Sequence, residues 1–153
     1  MKVIEIKSDN LKFYKTELIK LLDYFLDVLD VQQYRTQNEK ETILDHMINE
    51  NKATHIMAIS NNEKQLVGVT YFNVGSGYSS GGDYLWMNGI CINHDCQNQG
   101  FGMALLNYVI DWAKKKDINH FISSRDPDNS ISEKLFNRAG FVQSQNIWIK
   151  KVI

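Results

Sequence analysis

One stretch of the sequence decides the fold, and it reads Ile90-Cys91-Ile92-Asn93-His94-Asp95-Cys96-Gln97-Asn98-Gln99-Gly100-Phe101-Gly102-Met103. An apolar strand runs into a polar turn, which leads through two glycines into an apolar helical pattern. Glycines in such a turn let the backbone bend tightly and approach a ligand closely. The first N–H groups of the following helix have no intrahelical acceptors and carry partial positive charge. The stretch therefore predicts an anion site, above all for a phosphate.

Other phosphate-binding motifs share this physics but have a different spacing. A P-loop requires Lys and then Ser or Thr directly after its last glycine, whereas Met103 and Ala104 follow Gly102. The dinucleotide-binding fingerprint requires a third glycine where Leu105 stands. A nucleotide-phosphate binder and a turn without any ligand remain alternatives from this stretch alone.

Outward from this stretch, apolar periodicity predicts an α/β (α+β) fold with a mixed sheet. No internal repeat or linker interrupts the pattern, so we expect a single domain over residues 1–153. The predicted strands are Val3–Ile6, Thr54–Ser60, Leu66–Phe72, Tyr84–Asn93 and Ile118–Ser124, with a final strand or hairpin from Phe141 to Ile153. The predicted helices are a first one with apolar positions from Leu18 to Leu29, whose start Asp9 or Asn10 could cap, and then Glu39–Asn51, Phe101–Lys116 and Asn129–Ala139.

Composition argues against several classes of function. Seventeen Lys and Arg balance eighteen Asp and Glu, which disfavours a protein that binds nucleic acid by neutralising phosphates. Two cysteines and four scattered histidines show no metal-ligand spacing, so no metal site is expected. No apolar run approaches the ~18 residues of a membrane span, and no export signal is evident. We therefore expect a cytoplasmic protein without a membrane partner.

Two segments resemble the signatures of the Gcn5-related N-acetyltransferases (GNAT). Gln97-Asn98-Gln99-Gly100-Phe101-Gly102 is similar to their Gln/Arg-x-x-Gly-x-Gly/Ala motif. The segment from Asn129 to Gly140-Phe141 resembles their second motif, an Asn that opens a helix ending in Gly-Phe. The resemblance implies a GNAT fold with six to seven mostly antiparallel strands, about four helices and splayed central strands. It also implies transfer of an acetyl group from acetyl-coenzyme A to an amine of a small molecule or protein.

The resemblance assigns roles to individual residues. The turn after the strand would bind the pyrophosphate of coenzyme A through backbone N–H groups, and the strand edge would pair with the pantetheine arm. Asn129 would face that arm, although Asn also favours a helix N-cap on its own account. The residues implied to bind coenzyme A are Ile90, Cys91, Ile92, Gln97, Asn98, Gln99, Gly100, Phe101, Gly102, Met103, Asn129, Ser132 and Phe136.

The catalytic groups are less clearly indicated. Many family members carry a Tyr acid where this chain has Phe136, and the strand Tyr84–Gly89 has no carboxylate to serve as base. Asn129, Tyr84 and Asp83 remain the predicted catalytic residues. These departures keep open an alternative function, a coenzyme A-binding regulatory module with little or no catalysis. A homodimer is the assembly that the family resemblance suggests.

The acceptor is predicted to contact three segments. They are the connection between the first two helices, Asp30–Asn38, the loop Gly75–Gly82, and the C-terminal hairpin.

Overall fold

The computed structural model describes residues 1–28, 36–50, 54–77, 82–125 and 127–143. The strands are β1 (Lys2–Ile6), β2 (Thr54–Ser60), β3 (Leu66–Gly75), β4 (Tyr84–Ile92) and β5 (His120–Ser123). The helices are α1 (Leu11–Val28), α2 (Gln37–Asn49), α3 (Phe101–Lys115) and α4 (Ser130–Arg138), and a 3₁₀ turn covers His94–Cys96.

The strands form one sheet in the order β1-β2-β3-β4-β5. The first four pair antiparallel with their neighbours, and β5 alone pairs parallel, with β4. The predicted mixed, mostly antiparallel sheet and four helices are thus confirmed. The expected six to seven strands are not, because the described residues form five. Residues 141–143 of the predicted last strand are not in a strand, and residues 144–153 lie outside the described part.

Helices cover both faces of the sheet. On one face, α1 and α2 pack against a core that includes Ile56, Ala58, Val69 and Cys91. On the other face, α3 packs against a core that includes Met57, Ile59, Phe72, Leu85 and Met87. The alternation of these strand residues between the two cores follows from the two-residue period of a strand. We refer to the two faces as the α1–α2 face and the α3 face.

Local sequence explains where elements begin and end. At the start of α2, Thr36 Oγ1 accepts a hydrogen bond from Glu39 N–H at 3.3 Å, and Glu39 Oε2 accepts from Thr36 N–H at 2.7 Å. This capping box sets the start of α2 two residues before the predicted Glu39. Strand β2 has the predicted bounds, Thr54–Ser60.

Parts of the predicted acceptor-contacting segments, residues 30–35, 78–81 and 144–153, lie outside the described residues.

Among the helices of the described residues, none is both long enough and apolar enough to span a bilayer.

Candidate functional site

Strand β5 pairs with only the first part of β4. Their parallel pairing begins at Tyr84 with His120 and ends at Met87 with Ser123. Strand β4 continues five residues further, to Ile92, without pairing to β5. The predicted splaying of the two strands stays a prediction, and we call the opening between Asn88–Ile92 and the chain after Ser123 the interstrand gap.

Backbone groups of β4 face this gap at alternate residues. Asn93 N–H donates to the Val67 carbonyl oxygen at 2.8 Å, which fixes residue 93 as a residue hydrogen-bonded to β3. In an antiparallel pair, the residues between such positions direct their N–H and C=O groups to the other side. By this alternation the N–H and C=O groups of Ile90 and Ile92 face the gap. Because the Ile92 carbonyl oxygen already accepts a hydrogen bond from Gln97 Nε2, the groups that an amide-containing ligand can pair with are the N–H and C=O of Ile90 and the N–H of Ile92.

Cys91 does not contribute to the gap in this way. It lies between Ile90 and Ile92 and so directs its backbone groups to β3, opposite Val69. Its side chain is buried in the α1–α2 core, where Sγ donates to the Leu21 carbonyl oxygen at 3.6 Å. Burial raises the pKa of the Cys91 thiol to about 12, so the thiol stays protonated and inert at neutral pH.

The turn after β4 ends at an uncapped helix. Gly100 is the N-cap of α3 with a φ of 87°, and no side chain caps it. The first helical bond runs from Ala104 N–H to the Gly100 carbonyl oxygen at 2.9 Å. The N–H groups of Phe101, Gly102 and Met103 precede that bond and have no acceptor within the helix. The predicted turn thus supplies backbone donors where the helix dipole favours an anion.

The two glutamines of the turn have structural roles. Gln97 Nε2 donates to the Ile92 carbonyl oxygen at 3.3 Å, and Gln99 Nε2 donates to the Asp95 carbonyl oxygen at 3.0 Å. Asn98 has a φ of 60°, a left-handed conformation that Asn tolerates better than most residues. These side chains stabilise the turn, so anion binding there depends on the backbone.

The second signature segment lies next to the first. A Cβ atom added to Gly102 would lie 3.6 Å from Ile92 Cγ1 and 3.7 Å from Leu135 Cδ1 of α4. The strand end, the start of α3 and helix α4 therefore meet at this point.

Asn129 caps α4, because its Oδ1 accepts a hydrogen bond from Ser132 N–H at 2.9 Å. The N-cap role of Asn129 is confirmed, whereas contact of Asn129 or Ser132 with coenzyme A stays a prediction.

Phe136 packs in an aromatic cluster. Its ring centroid lies 5.1 Å from that of Phe141, which lies 4.9 Å from that of Phe121 in β5. The cluster joins α4 to β5 and places Phe136 as a packing residue. Its predicted contact with coenzyme A remains untested.

Tyr84 and Asp83, two of the predicted catalytic residues, lie at the opposite end of β4 from the turn. Tyr84 is the first residue of the paired section, and its ring lies over the Cα of Gly75. Asp83 is exposed, just ahead of the strand. The geometry therefore does not bring either residue into the interstrand gap.

A row of hydrogen-bonded side chains, Asn88, Asn73 and Thr54, starts at the gap and was not predicted from the sequence. We call it the polar row. Asn88 Nδ2 donates to Asn73 Oδ1, and Asn73 Nδ2 donates to Thr54 Oγ1 at 2.9 Å. The available signal was a lone Asn inside each of two apolar strands, which propensity disfavours.

Among the described residues, no group of His, Cys, Asp and Glu side chains is arranged to hold a metal ion.

Comparison with known structures supports the fold. A probable acetyltransferase matches with a TM-score of 0.81 and 15% identity over 100% of this chain and 97% of its own. A ribosomal-protein-alanine N-acetyltransferase from Brucella melitensis biovar Abortus 2308 matches with a TM-score of 0.78 and 14% identity, over 99% of this chain and 100% of its own. An aminoglycoside acetyltransferase from an uncultured soil metagenomic sample, solved with sisomicin, matches with a TM-score of 0.79 and 16% identity, over 99% and 95%. At these identities the likeness establishes the fold alone.

A search of curated protein sequences finds no match. The family model of the acetyltransferase (GNAT) family, however, matches residues 20–141, which is most of the chain. Both signature segments and the interstrand gap fall within that range. The chain therefore belongs to the GNAT family of acetyltransferases.

Proposed function

We propose that this protein transfers the acetyl group of acetyl-coenzyme A to a primary amine of a small molecule or a protein. The transfer is a direct attack within a ternary complex, without an acyl-enzyme. The observation that carries the proposal is the interstrand gap of β4, which leads directly to the uncapped N-terminus of α3. The residues of one domain, 1–153, supply both parts of this site.

The gap and the turn fit the two chemical parts of coenzyme A. The N–H groups of Phe101, Gly102 and Met103 suit a pyrophosphate, because they combine unpaired donors with the positive end of the helix dipole. The backbone groups of Ile90 and Ile92 suit the amides of the pantetheine arm, as an added strand would. Positions 99 and 103, where many family members carry Lys or Arg, are neutral here. We therefore expect moderate affinity that depends on backbone donors.

The reaction requires only that the two reactants be held together. The amine nitrogen forms a bond to the acetyl carbon, the carbon–sulfur bond breaks, and the proton lost by the amine passes to solvent or to the sulfur. A thiol of pKa about 8.5 is a tolerable leaving group near neutrality, so the reaction can proceed without a Tyr acid at position 136. Holding the reactants in place is itself a large part of the rate enhancement.

The class of acceptor is inferred from proteins of similar structure. Acetyl-coenzyme A is the acetyl donor of this family, and AAC(6')-Iy, with a TM-score of 0.76 at 14% identity over 99% of this chain and 97% of its own, was solved with the bisubstrate analogue CoA-S-monomethyl-acetylneamine. Others of these proteins are described as acetylating aminoglycosides or the alanine of a ribosomal protein. Both small-molecule and protein amines therefore belong in the test.

The proposal is tested by release of free thiol from acetyl-coenzyme A. The acceptors are sisomicin, spermidine, alaninamide, N-acetyl-lysine amide and a peptide that begins with alanine. We expect thiol release above the no-acceptor rate with at least one of them, and an acetylated product of the corresponding mass. Binding of coenzyme A without release from any acceptor would instead support the regulatory module.

A matched pair of variants tests the turn. Gly100→Val places a β-branched residue at a φ of 87°, and Gly77→Val does the same at a φ of 81° in the loop after β3. Each costs about 1–2 kcal/mol of backbone strain, but only the first distorts the donors at the start of α3. We expect Gly100→Val to abolish binding of coenzyme A in calorimetry and Gly77→Val to retain it. Equal binding by the two variants would refute this assignment of the turn.

A further inference from the structure

Asn88 occupies a special place in β4. Gly89 pairs with Tyr71 and Met87 pairs with Phe72, so Asn88 is the extra residue of a β-bulge. Met87 is also the last residue of β4 that pairs with β5. The bulge therefore lies where the interstrand gap begins. From there to the end of β4 is about 13 Å, at roughly 3.3 Å per residue.

The side chain of Asn88 faces away from α3. Leu85 and Met87 pack in the core of the α3 face, so alternation places Trp86 and Asn88 on the α1–α2 face. The hydrogen bond from Asn88 to Asn73 agrees with this, since Tyr71, two residues before Asn73, packs in the α1–α2 core. Asn88 is nevertheless exposed. An amine can therefore approach it from solvent on the face opposite α3.

The hydrogen bonds of the polar row have a direction. Asn88 donates through Nδ2 to Asn73, and Asn73 donates through Nδ2 to Thr54. Asn88 thus uses its amide nitrogen within the row, and in the described structure its Oδ1 accepts no hydrogen bond. The row holds the carboxamide in one orientation and leaves a carbonyl oxygen, which can accept a hydrogen bond from an N–H group.

Charge is absent from the strands that surround this oxygen. Strands β2, β3 and β4 contain no Asp, Glu, Lys or Arg. The imidazole of His55 stacks on Phe72 at 5.3 Å on the α3 face, and burial raises the pKa of the Tyr71 phenol on the α1–α2 face. On the helices packed against that face, Glu17 accepts a hydrogen bond from Leu66 N–H, and the carboxylates of Asp23, Glu41 and Asp45 form ion pairs with Lys40 and Lys15. A carboxamide is not a proton acceptor in water, so Asn88 can orient an amine but cannot deprotonate it.

We propose that Asn88 Oδ1 accepts a hydrogen bond from the attacking amine and aims its lone pair into the gap, and that the amine arrives already neutral. This inference rests on the proposed function and specifies how its acceptor is held. The nitrogen–carbon bond forms as the carbon–sulfur bond breaks, and the amine loses its proton to solvent. The polar row acts as a positioning device, in place of a base.

The test compares two acceptors whose amines differ in pKa. Alaninamide carries an α-amine and N-acetyl-lysine amide an ε-amine, and model values for these groups are about 8 and about 10.4. If no group of the enzyme deprotonates the amine, the rise of kcat/KM with pH follows each acceptor's own pKa. We therefore expect two ascending limbs about two pH units apart. A shared limb at one pH for both acceptors would identify an enzyme base and overturn the inference.

Three variants test the residue itself. Asn88→Leu keeps the approximate shape but removes the oxygen, and we expect kcat/KM for the amine to fall about tenfold with the limbs unmoved. Asn88→Asp keeps an acceptor oxygen but loses the donor to Asn73 and adds a carboxylate that can take a proton, so we expect it to bring the ascending limbs of the two acceptors toward one shared pH. Asn107→Leu, an exposed position on α3, is the control and should match the parent. Unchanged kcat/KM in Asn88→Leu overturns the inference.

The proposed function fails in a different way. It fails if no acceptor releases thiol from acetyl-coenzyme A while calorimetry shows the donor bound. The inference about Asn88 fails alone if thiol is released but the limbs coincide or Asn88→Leu is unaffected. If Asn88→Leu changes the midpoint of thermal unfolding, that midpoint is compared with the midpoint of Asn88→Asp, which retains the side-chain size.

Discussion

The side chain of Gln97 donates a hydrogen bond to the carbonyl oxygen of Ile92, the last residue of β4, over 3.3 Å. That carbonyl faces the interstrand gap, where β5 offers it no partner. The bond therefore joins the turn to the strand end and fixes the donors of α3 relative to the gap. Gln97, a glutamine of the first signature segment, thus binds the backbone of its own chain.

Replacement of Gln97 by alanine should weaken binding of coenzyme A. A half-buried hydrogen bond of this kind contributes about 1 kcal/mol, which corresponds to about a fivefold rise in Kd. Calorimetric titration of Gln97→Ala with coenzyme A measures the effect. Gln37→Ala removes a similar amide bond, to Glu41 on exposed α2, and should leave Kd unchanged. Equal Kd values for the two variants would contradict the role of Gln97.

Asn129 allows its cap role to be separated from its predicted role at the donor. Asn129→Ala removes the acceptor of Ser132 N–H and should lower the free energy of unfolding by about 1 kcal/mol. Asn129→Ser retains a capping oxygen, so its stability should stay near that of the parent. If Asn129 also contacts the donor, Asn129→Ser should still raise KM for acetyl-coenzyme A several-fold. Thermal unfolding and steady-state kinetics on both variants separate the two roles.

Phe136 is expected to matter for packing more than for acid catalysis. Phe136→Ala opens a space in the cluster with Phe141 and should cost about 2 kcal/mol, less than for a fully buried ring. Phe136→Tyr restores the phenol that many relatives carry there. We expect it to raise kcat less than about threefold, because the thiolate leaves readily without an acid. A rise of a hundredfold or more would show that proton donation limits the present chain.

His55 should make folding stability fall in mild acid. Its ring lies 4.8 Å from Trp112 and 5.3 Å from Phe72, and burial lowers its pKa, although Glu5 Oε1 at 3.6 Å opposes the shift. The unfolded chain then binds a proton more readily than the folded one, so stability rises with pH. The contribution is complete above about pH 6.5 and is lost as the pH falls toward the lowered folded pKa.

Urea unfolding between pH 5 and pH 8 checks this dependence. His55→Gln should show a smaller loss of stability on acidification than the parent protein. His94→Gln is the control, because the His94 side chain is 78% exposed and lies in the turn before α3. If His55→Gln and the parent lose stability equally, another group is responsible.

The sequence predicted those features that depend on neighbours along the chain. The strand over Thr54–Ser60 and the helix opened by Asn129 follow from apolar periodicity and capping preference, and both were found. The turn at Gly100 was predictable because its positive φ is a conformation that glycine adopts readily and other residues rarely adopt. The proposed pyrophosphate site therefore follows from one short segment of the sequence.

Features that depend on strand register were not predictable in this way. The bulge at Asn88 is one extra residue in an apolar run, and nothing in the run itself shows which residue is unpaired. The row of Thr54, Asn73 and Asn88 draws on three strands, and its members meet only once the sheet has formed. The same holds for Cys91, whose backbone groups face β3 by the alternation of hydrogen bonds along the strand, while its contact with coenzyme A stays a prediction.

The short parallel pairing of β5 has a consequence for amide hydrogen exchange. Within the described residues, strand β5 pairs with the sheet only where Tyr84–Met87 meets His120–Ser123, whereas β3 is paired along both of its edges. Amide protons of β5 should therefore exchange with deuterated water earlier than those of β3. A donor lying between β4 and the chain beyond Ser123 binds only when both are in place, so it should protect those amides. Binding of the donor would then extend the pairing of β4 beyond Met87, where its pairing with β5 ends.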